Sequence, residues 1–374
     1  MDFIDLKSQQ ARLKQTIDTN IENVLKSGAY IMGPEVTELE GKLSRFVEAT
    51  HALTCANGTD ALLLPMMAWE IGPGDAVFCP SFTYCASAEA IALLGATPVF
   101  VDVEKDTFNM SPASLSAAIA HIKTTSELKP RAVMIVDLFG QSADYPRLAP
   151  IAQKHGLKLI SDCAQAFGTT LQDKHPMHWC DVMTTSFYPA KPLGCYGDGG
   201  AVFTNTESLA DTIESTRNHG QGKDKYDNVR IGLNSRLDTL QAAILLAKLT
   251  VFGDEIEARN RVAGRYASAF ENQKILAPIV ADNTLSTWAQ YSICVEDPEG
   301  FASQLRESGI PTARYYPKPI HCQTAYKACP VAPDGLPNTE HLMKRIISLP
   351  MHAYLSQEDQ DKIIAACLEA VRST

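Results

Sequence analysis

Apolar positions along the chain fall into two regimes. Residues 8–27 are mostly polar and read as an N-terminal helix. A loop from Gly28 to Pro34 follows, and Val36 to Val47 reads as an amphipathic helix. From residue 51 short β-rich runs take over: His51–Cys55, Ala76–Cys79, Thr97–Val101, Ala132–Leu138, Leu157–Ser161, Val182–Ser186 and Ala201–Thr204. Helical stretches fill many of the gaps, notably 58–69, 84–94, 111–122 and 145–155. Strand alternating with helix predicts an α/β fold with a mostly parallel, seven-stranded sheet covered on both faces.

A long helical stretch, 236–250, follows the last strand. Beyond about residue 255 come a helix, a strand at Tyr291–Val295, and helices at 299–308 and 356–372. Two domains are therefore expected: a large one over 1–250 and a smaller α/β one over 251–374. The proline-rich stretch 311–336 reads as a long loop, and loops of that length are often functional.

Composition narrows the function classes. Net charge is -10 over 374 residues, which argues against a nucleic-acid-binding surface. An anionic substrate would need local Lys or Arg groups. Ten cysteines without a C-x-x-C pair fit neither a zinc site nor a disulfide scaffold. No metal is expected, and reduced thiols point to the cytoplasm. The N-terminus lacks a signal-peptide pattern, and no apolar run is long enough to span a membrane.

Four features fall at the carboxyl ends of the expected strands, where open parallel sheets bind their ligands. The run at 185–200 holds Lys191 between Pro189 and Pro192, followed by four glycines. A lysine in so constrained a loop can hold an aldehyde cofactor, pyridoxal phosphate, as a Schiff base. Otherwise it is an ordinary solvated charge. Ser186, at a strand end, could bind the cofactor phosphate. Asp162 follows Leu-Lys-Leu-Ile-Ser and could keep a pyridine nitrogen protonated, with Gln165 reaching the same edge; alternatively Asp162 caps a helix. Asn57-Gly58-Thr59-Asp60 opens a helix whose exposed N–H groups and dipole favour a phosphate, unless Asn57 or Thr59 merely caps it. Tyr84, in Ser-Phe-Thr-Tyr, could stack on a planar ring or pack in the core.

Together these residues resemble the DegT/DnrJ/EryC1/StrS family of sugar aminotransferases. The resemblance runs over nearly the whole chain. It includes Gly-Pro-Glu-Val-Thr-Glu-Leu-Glu at 33–40, Ala-Asn-Gly-Thr-Asp-Ala-Leu at 56–62, Pro-Ser-Phe-Thr-Tyr at 80–84 and Asp-Cys-Ala-Gln-Ala at 162–166. The Lys191 loop, Asn-Ser-Arg-Leu-Asp-Thr-Leu-Gln-Ala-Ala at 234–243 and Leu-Pro-Met-His at 349–352 complete it.

The resemblance implies a fold-type I pyridoxal-phosphate enzyme. It makes Lys191 the Schiff-base lysine and proton carrier, Asp162 the partner of the pyridine nitrogen and Gln165 a contact on the ring hydroxyl side. Tyr84 becomes the stacking ring, with Gly58, Thr59 and Ser186 on the phosphate. Asn234 matches an asparagine given to the phosphate by the other subunit, which implies a homodimer with shared active sites. One branch of the family, similar in both the Lys191 loop and the 234–241 segment, aminates C3 of UDP-2-acetamido-2-deoxy-3-oxo-glucuronate with L-glutamate and serves bacterial O-antigen sugars. Arg236 then matches the clamp for the sugar carboxylate, a pairing that guanidinium geometry favours; a structural ion pair is the other reading. Tyr315, Tyr316 and His321 would meet the nucleotide-sugar.

Many family members carry Glu where Ser161 stands and His where Phe167 stands, and the second departure weakens assignment to 4-aminotransferase branches. A dehydrogenase would need a G-x-G-x-x-G turn, but the early turn reads Ala-Asn-Gly-Thr-Asp-Ala. A sugar dehydratase of this family would replace Lys191 by histidine. Fold alone does not exclude a non-catalytic cofactor-binding regulator, but the presence of both Lys191 and Asp162 counts against it.

Overall fold

The computed structural model describes residues 1–224 and 226–372. Seven strands form the main sheet: β1 His51–Cys55, β2 Asp75–Pro80, β3 Thr97–Val101, β4 Lys129–Val136, β5 Lys158–Asp162, β7 Val182–Ser186 and β8 Gly200–Thr204. The two-residue strands β6 Thr170–Leu171 and β9 Thr284–Leu285 pair separately. So do β10 Tyr291–Cys294 and β11 Ile346–Leu349. The order in the main sheet is β1-β8-β7-β5-β4-β2-β3.

Only β8 runs against its neighbours in that sheet. The reason lies in its connection. Parallel neighbours need a crossover, usually a helix, whereas the link from β7 to β8 is the glycine- and proline-rich loop that carries Lys191. The chain returns beside β7 in the opposite sense, so the Lys191 loop sits at the edge shared by the carboxyl ends of β7 and β1. Along β8, Ala201 and Phe203 join one apolar cluster with Phe167, Phe187 and Leu245, while Val202 joins another with Leu53, Leu64 and Val182. Both sheet faces are therefore buried, as continuous apolar runs require.

The helices follow the expected pattern with shifted ends. The first runs Leu6–Ser27, where Asp5 accepts the Ser8 N–H and Gly28, at φ 69°, closes the C-terminus in the left-handed region that glycine tolerates. The expected 84–94 helix is shorter, Ala86–Leu93, and 236–250 contracts to Thr239–Leu249. The structure adds two helices, Glu207–Arg217 and Pro337–Arg345, and the strand β11 to the expected elements. The end expected for β4 at Leu138 is instead a 3-10 turn, Leu138–Gly140, with Phe139 at φ 59°. The proline-rich loop holds two short 3-10 turns, Ile320–Cys322 and Thr324–Tyr326, and single bridges pair Val331 with Phe100 and Ala313 with Ser348.

A separate apolar cluster gathers Tyr266, Tyr291, Ile293, Phe301, Ile347 and Ile363 from the C-terminal third. The helix Phe252–Phe270 links the two regions: Phe252 and Ile256 pack with the large sheet, Val262 and Tyr266 with the smaller cluster. All ten cysteines are free. Among the described residues, no helix is long and apolar enough to cross a membrane.

Candidate active site

The carboxyl ends of β1, β2, β4, β5 and β7 bring the sequence candidates to one side of the sheet. Asp162 is the last residue of β5 and is buried. Its Oδ2 accepts the Ser87 hydroxyl at 3.1 Å, and its Oδ1 accepts the Ala164 N–H at 3.1 Å. Burial pushes the Asp162 carboxyl above the usual range, with Ala164, Lys191 and Ser87 pulling the other way. Lys191 shows the reciprocal behaviour. Burial lowers its amine below the ordinary lysine value, while attraction to Asp162 raises it. Each group is thus drawn toward its neutral form by burial and toward its charged form by the other.

Gln165 is fixed from two sides. Its Oε1 accepts the Phe139 N–H at 2.8 Å, which uses the turn after β4, and its Nε2 donates to the Tyr316 hydroxyl at 3.0 Å. Tyr316 also lies 6.4 Å, centroid to centroid, from the Tyr84 ring. Tyr84 is 56% exposed, so it is not a core residue. Tyr315 packs edge-on against Tyr316 at 5.7 Å and lies 6.4 Å from Phe3.

Gly58 opens the helix Gly58–Ala68, capped by Asn57, whose Oδ1 accepts the Asp60 N–H at 2.8 Å. The cap and the exposed helix end coexist, so capping does not exclude an anion there. A Cβ on Gly58 would stand 2.6 Å from the Ser186 Cβ, and one on Gly200 would stand 2.5 Å from the Asn57 carbonyl oxygen. Thr59 is half-buried in the first turn of this helix. The Ser186 hydroxyl accepts the Tyr188 N–H at 3.3 Å. Backbone and hydroxyl thus crowd together at a positive helix terminus, a geometry suited to a phosphate.

Asn234 and Arg236 form their own group. One Arg236 terminal nitrogen donates to Asn218 Oδ1 at 3.1 Å and the other to Asn234 Oδ1. The Arg236 Nε is buried and has no hydrogen-bond partner in the structure. Between them, Ser235 accepts the Ala56 N–H at 3.2 Å, tying the segment to the loop before Gly58. His321 is tied to the residue after β2: its Nδ1 meets the Ser81 hydroxyl at 2.7 Å, and Glu340 lies 3.9 Å from its Nε2.

The structure adds residues that the sequence did not single out. Ser87 and the Phe139 N–H each hold a candidate side chain directly. Behind them Asp137, fully buried, accepts from Tyr145, Ser161 and Cys163 and from the Ala143 N–H. Ser161 thus has a carboxylate beside it, supplied by the end of β4.

The sequence profile described as the DegT/DnrJ/EryC1/StrS aminotransferase family matches residues 11–368. A UDP-2-acetamido-2-deoxy-3-oxo-D-glucuronate aminotransferase of Pseudomonas aeruginosa is 46% identical over 98% of this chain and 99% of its own. A protein of Geobacillus stearothermophilus named as a pleiotropic regulatory protein is 36% identical over 99% of this chain and 98% of its own. Among solved structures, a DegT DnrJ EryC1 StrS aminotransferase from Brucella abortus superposes with TM-score 0.98 at 52% identity, covering 99% of both chains. A Streptococcus pneumoniae protein solved in its PLP-form gives 0.88 at 27% identity, covering 96% of both. The expected architecture is therefore the observed one, and this chain belongs to the DegT/DnrJ/EryC1/StrS aminotransferase family.

Proposed function

We propose that the protein is a pyridoxal-phosphate-dependent aminotransferase that moves the amino group of L-glutamate to C3 of UDP-2-acetamido-2-deoxy-3-oxo-glucuronate, in the cytoplasm, for bacterial O-antigen or other surface-polysaccharide sugars. The observation that carries the cofactor reading is the buried Asp162 carboxyl at the end of β5, held by Ser87, on the side of the sheet where the loop after β7 carries Lys191. The residues present fit the cofactor. A buried carboxylate at a strand end suits a pyridinium, and the crowded Gly58–Ser186 helix terminus suits a phosphate. When bound, pyridoxal phosphate supplies a ring that withdraws electrons from the substrate carbon.

Each side chain then has a task. Lys191 Nζ anchors the cofactor and carries the proton to and from the substrate carbon. Asp162 holds the proton on the ring nitrogen, and Ser87 holds Asp162. Gln165, steadied by Phe139 and Tyr316, bonds the ring hydroxyl side. The accessible Tyr84 ring covers one face. Gly58, Thr59 and Ser186 take the phosphate, joined by Asn234 from a second copy of the chain in a homodimer. Exposed Tyr30, Ile31, Met32 and Val229 support such an interface. Residues 1–250 and 251–374 act as two domains. Tyr315, Tyr316 and His321 line the nucleotide-sugar side.

Arg236 clamps the sugar carboxylate, also across the dimer. Its unpartnered Nε and its remaining N–H donors support binding of an anion. The relative from Pseudomonas aeruginosa, named for the carboxylated 3-oxo sugar, supports the same substrate. The regulatory name of the Geobacillus relative favours a second reading, a cofactor-binding regulator without turnover. One assay separates these: transamination from L-glutamate to a panel of keto nucleotide-sugars. Turnover with marked preference for the 3-keto uronate is expected. Preference for a 4-keto-6-deoxy sugar would overturn the substrate, and no turnover with any acceptor would favour the regulator.

A further inference from the structure

Lys248 lies in the last turn of the helix Thr239–Leu249, where a basic residue ordinarily sits in solvent and complements the helix dipole. Here it is 1% exposed. No carboxylate is salt-bridged to it among the described residues. Its ammonium donates to the Gly194 carbonyl at 2.6 Å and lies 4.3 Å from the centre of the Tyr196 ring. Burial pushes its pKa down to about 8, with Cys195 and Glu255 pulling the other way. A buried ammonium without a salt-bridged carboxylate is a standing cost to the fold, so its placement calls for a role.

The contacts lead from Lys248 to Lys191 in three steps. Lys248 holds the Gly194 carbonyl. Gly194 is pressed against the start of the same loop: a Cβ there would stand 2.6 Å from the Tyr188 carbonyl oxygen and 2.5 Å from that of Pro189. The Tyr188 carbonyl accepts the Lys191 N–H at 2.8 Å. The same helix grips the loop a second time. Gln241 accepts the Tyr196 N–H at 2.8 Å, and its amide packs where a Gly197 side chain would go.

We propose that Lys248 is a positioning residue for Lys191, its buried ammonium fixing the Gly194 carbonyl and thereby the loop that presents the reactive amine. The inference rests on the reading of Lys191 as the cofactor-holding lysine. A misplacement of about 1 Å in a catalytic group costs up to a hundredfold in rate, so a loosened clamp shows in chemistry before it shows in stability.

The test uses the holoenzyme with Lys248→Met and Lys248→Gln. The readouts are the pH titration of the visible absorbance of the Lys191-bound cofactor, the rate of the glutamate half-reaction and the melting temperature. The Met variant should melt at or above the wild-type temperature, because an apolar side chain replaces a buried charge. Its maximal rate should fall about ten- to a hundredfold with little change in KM, and its absorbance titration should move. The Gln variant should recover most of both, since its amide can donate to Gly194. A Met variant with wild-type rate and titration overturns the proposal. So does one that fails to fold, one whose rate falls only in step with its melting temperature, or a Gln variant no better than Met. A wild-type protein with no such absorbance at all would instead defeat the cofactor reading.

Discussion

Gly58 and Ser186 are packed so closely that a methyl group on Gly58 would stand 2.6 Å from the Ser186 Cβ. Two strands and a helix terminus converge there, and only a residue without a side chain fits. Gly58→Ala should therefore displace either the helix start or Ser186. Overpacking of this kind costs about 1–3 kcal/mol. The variant should bind pyridoxal phosphate about tenfold more weakly, roughly the 1.4 kcal/mol of one lost contact to a charged group. Equilibrium titration of the apo-protein with the cofactor measures it, and unchanged affinity would remove the phosphate from this corner.

Lys191 and Asp162 hold opposed shifts. Burial lowers the Lys191 amine, so in the apo-protein it should react with an amine acylating reagent at a lower pH than the surface lysines do. Asp162 partly offsets that shift, so Asp162→Asn should lower the Lys191 pKa further and speed its acylation at mildly alkaline pH. The stability consequence has a definite sign. A lysine whose folded pKa is depressed contributes stability that is fully present above its unfolded pKa and lost as pH falls through the folded value. Relative to Lys191→Met, the wild-type apo-protein should gain stability as pH rises between those two values, as read by urea unfolding.

Asp137 also titrates away from its ordinary value. Burial pushes it up to about 6, against four donors that favour its charged form. A carboxyl raised in this way contributes stability that is fully present below its ordinary value of 3.8 and lost as pH rises through about 6. Asp137→Asn should flatten that part of the stability curve. It should also cost about 1–3 kcal/mol, because an amide nitrogen would face donors built for an acceptor. Unfolding curves of both proteins from pH 4 to 7 decide it, and parallel curves would contradict the assignment.

Tyr316 receives the Gln165 amide at 3.0 Å. Tyr316→Phe leaves the ring but removes the acceptor, at a cost of about 1 kcal/mol. Cofactor affinity should fall a few fold, with the melting temperature nearly unchanged. Wild-type affinity in this variant would mean that the Phe139 N–H alone fixes Gln165.

Much of this arrangement was legible in the chain, and the rest was hidden for physical reasons. The Lys191 loop and Gly58 stand out in the chain because backbone packed as closely as at Gly58 and Gly194 needs glycine at fixed places. Asp162 stood at the end of an apolar strand, where a carboxylate is conspicuous. Ser87, by contrast, is one hydroxyl in an apolar helix, and only the order of β2, β4 and β5 brings it to Asp162. Lys248 reads as an ordinary basic residue closing a helix, and only the folded loop between β7 and β8 brings Gly194 and Tyr196 over its buried ammonium. Strand β11 was missed because its partner β10 lies far back in the chain, after the helix Phe252–Phe270, and local pattern carries no trace of that pairing. The departure at Ser161 has a physical complement: the neighbouring strand end supplies Asp137, which accepts the Ser161 hydroxyl at 2.7 Å.

The central claim is that Lys191 holds the cofactor and carries its proton. The most direct measurement is borohydride reduction of the purified holoenzyme followed by peptide mass mapping, with Lys191→Ala assayed beside it. A reduced pyridoxyl adduct on the peptide containing Lys191, loss of the yellow colour and no turnover in the Ala variant without added amine are predicted. An adduct on another lysine, or turnover retained by Lys191→Ala, would contradict it.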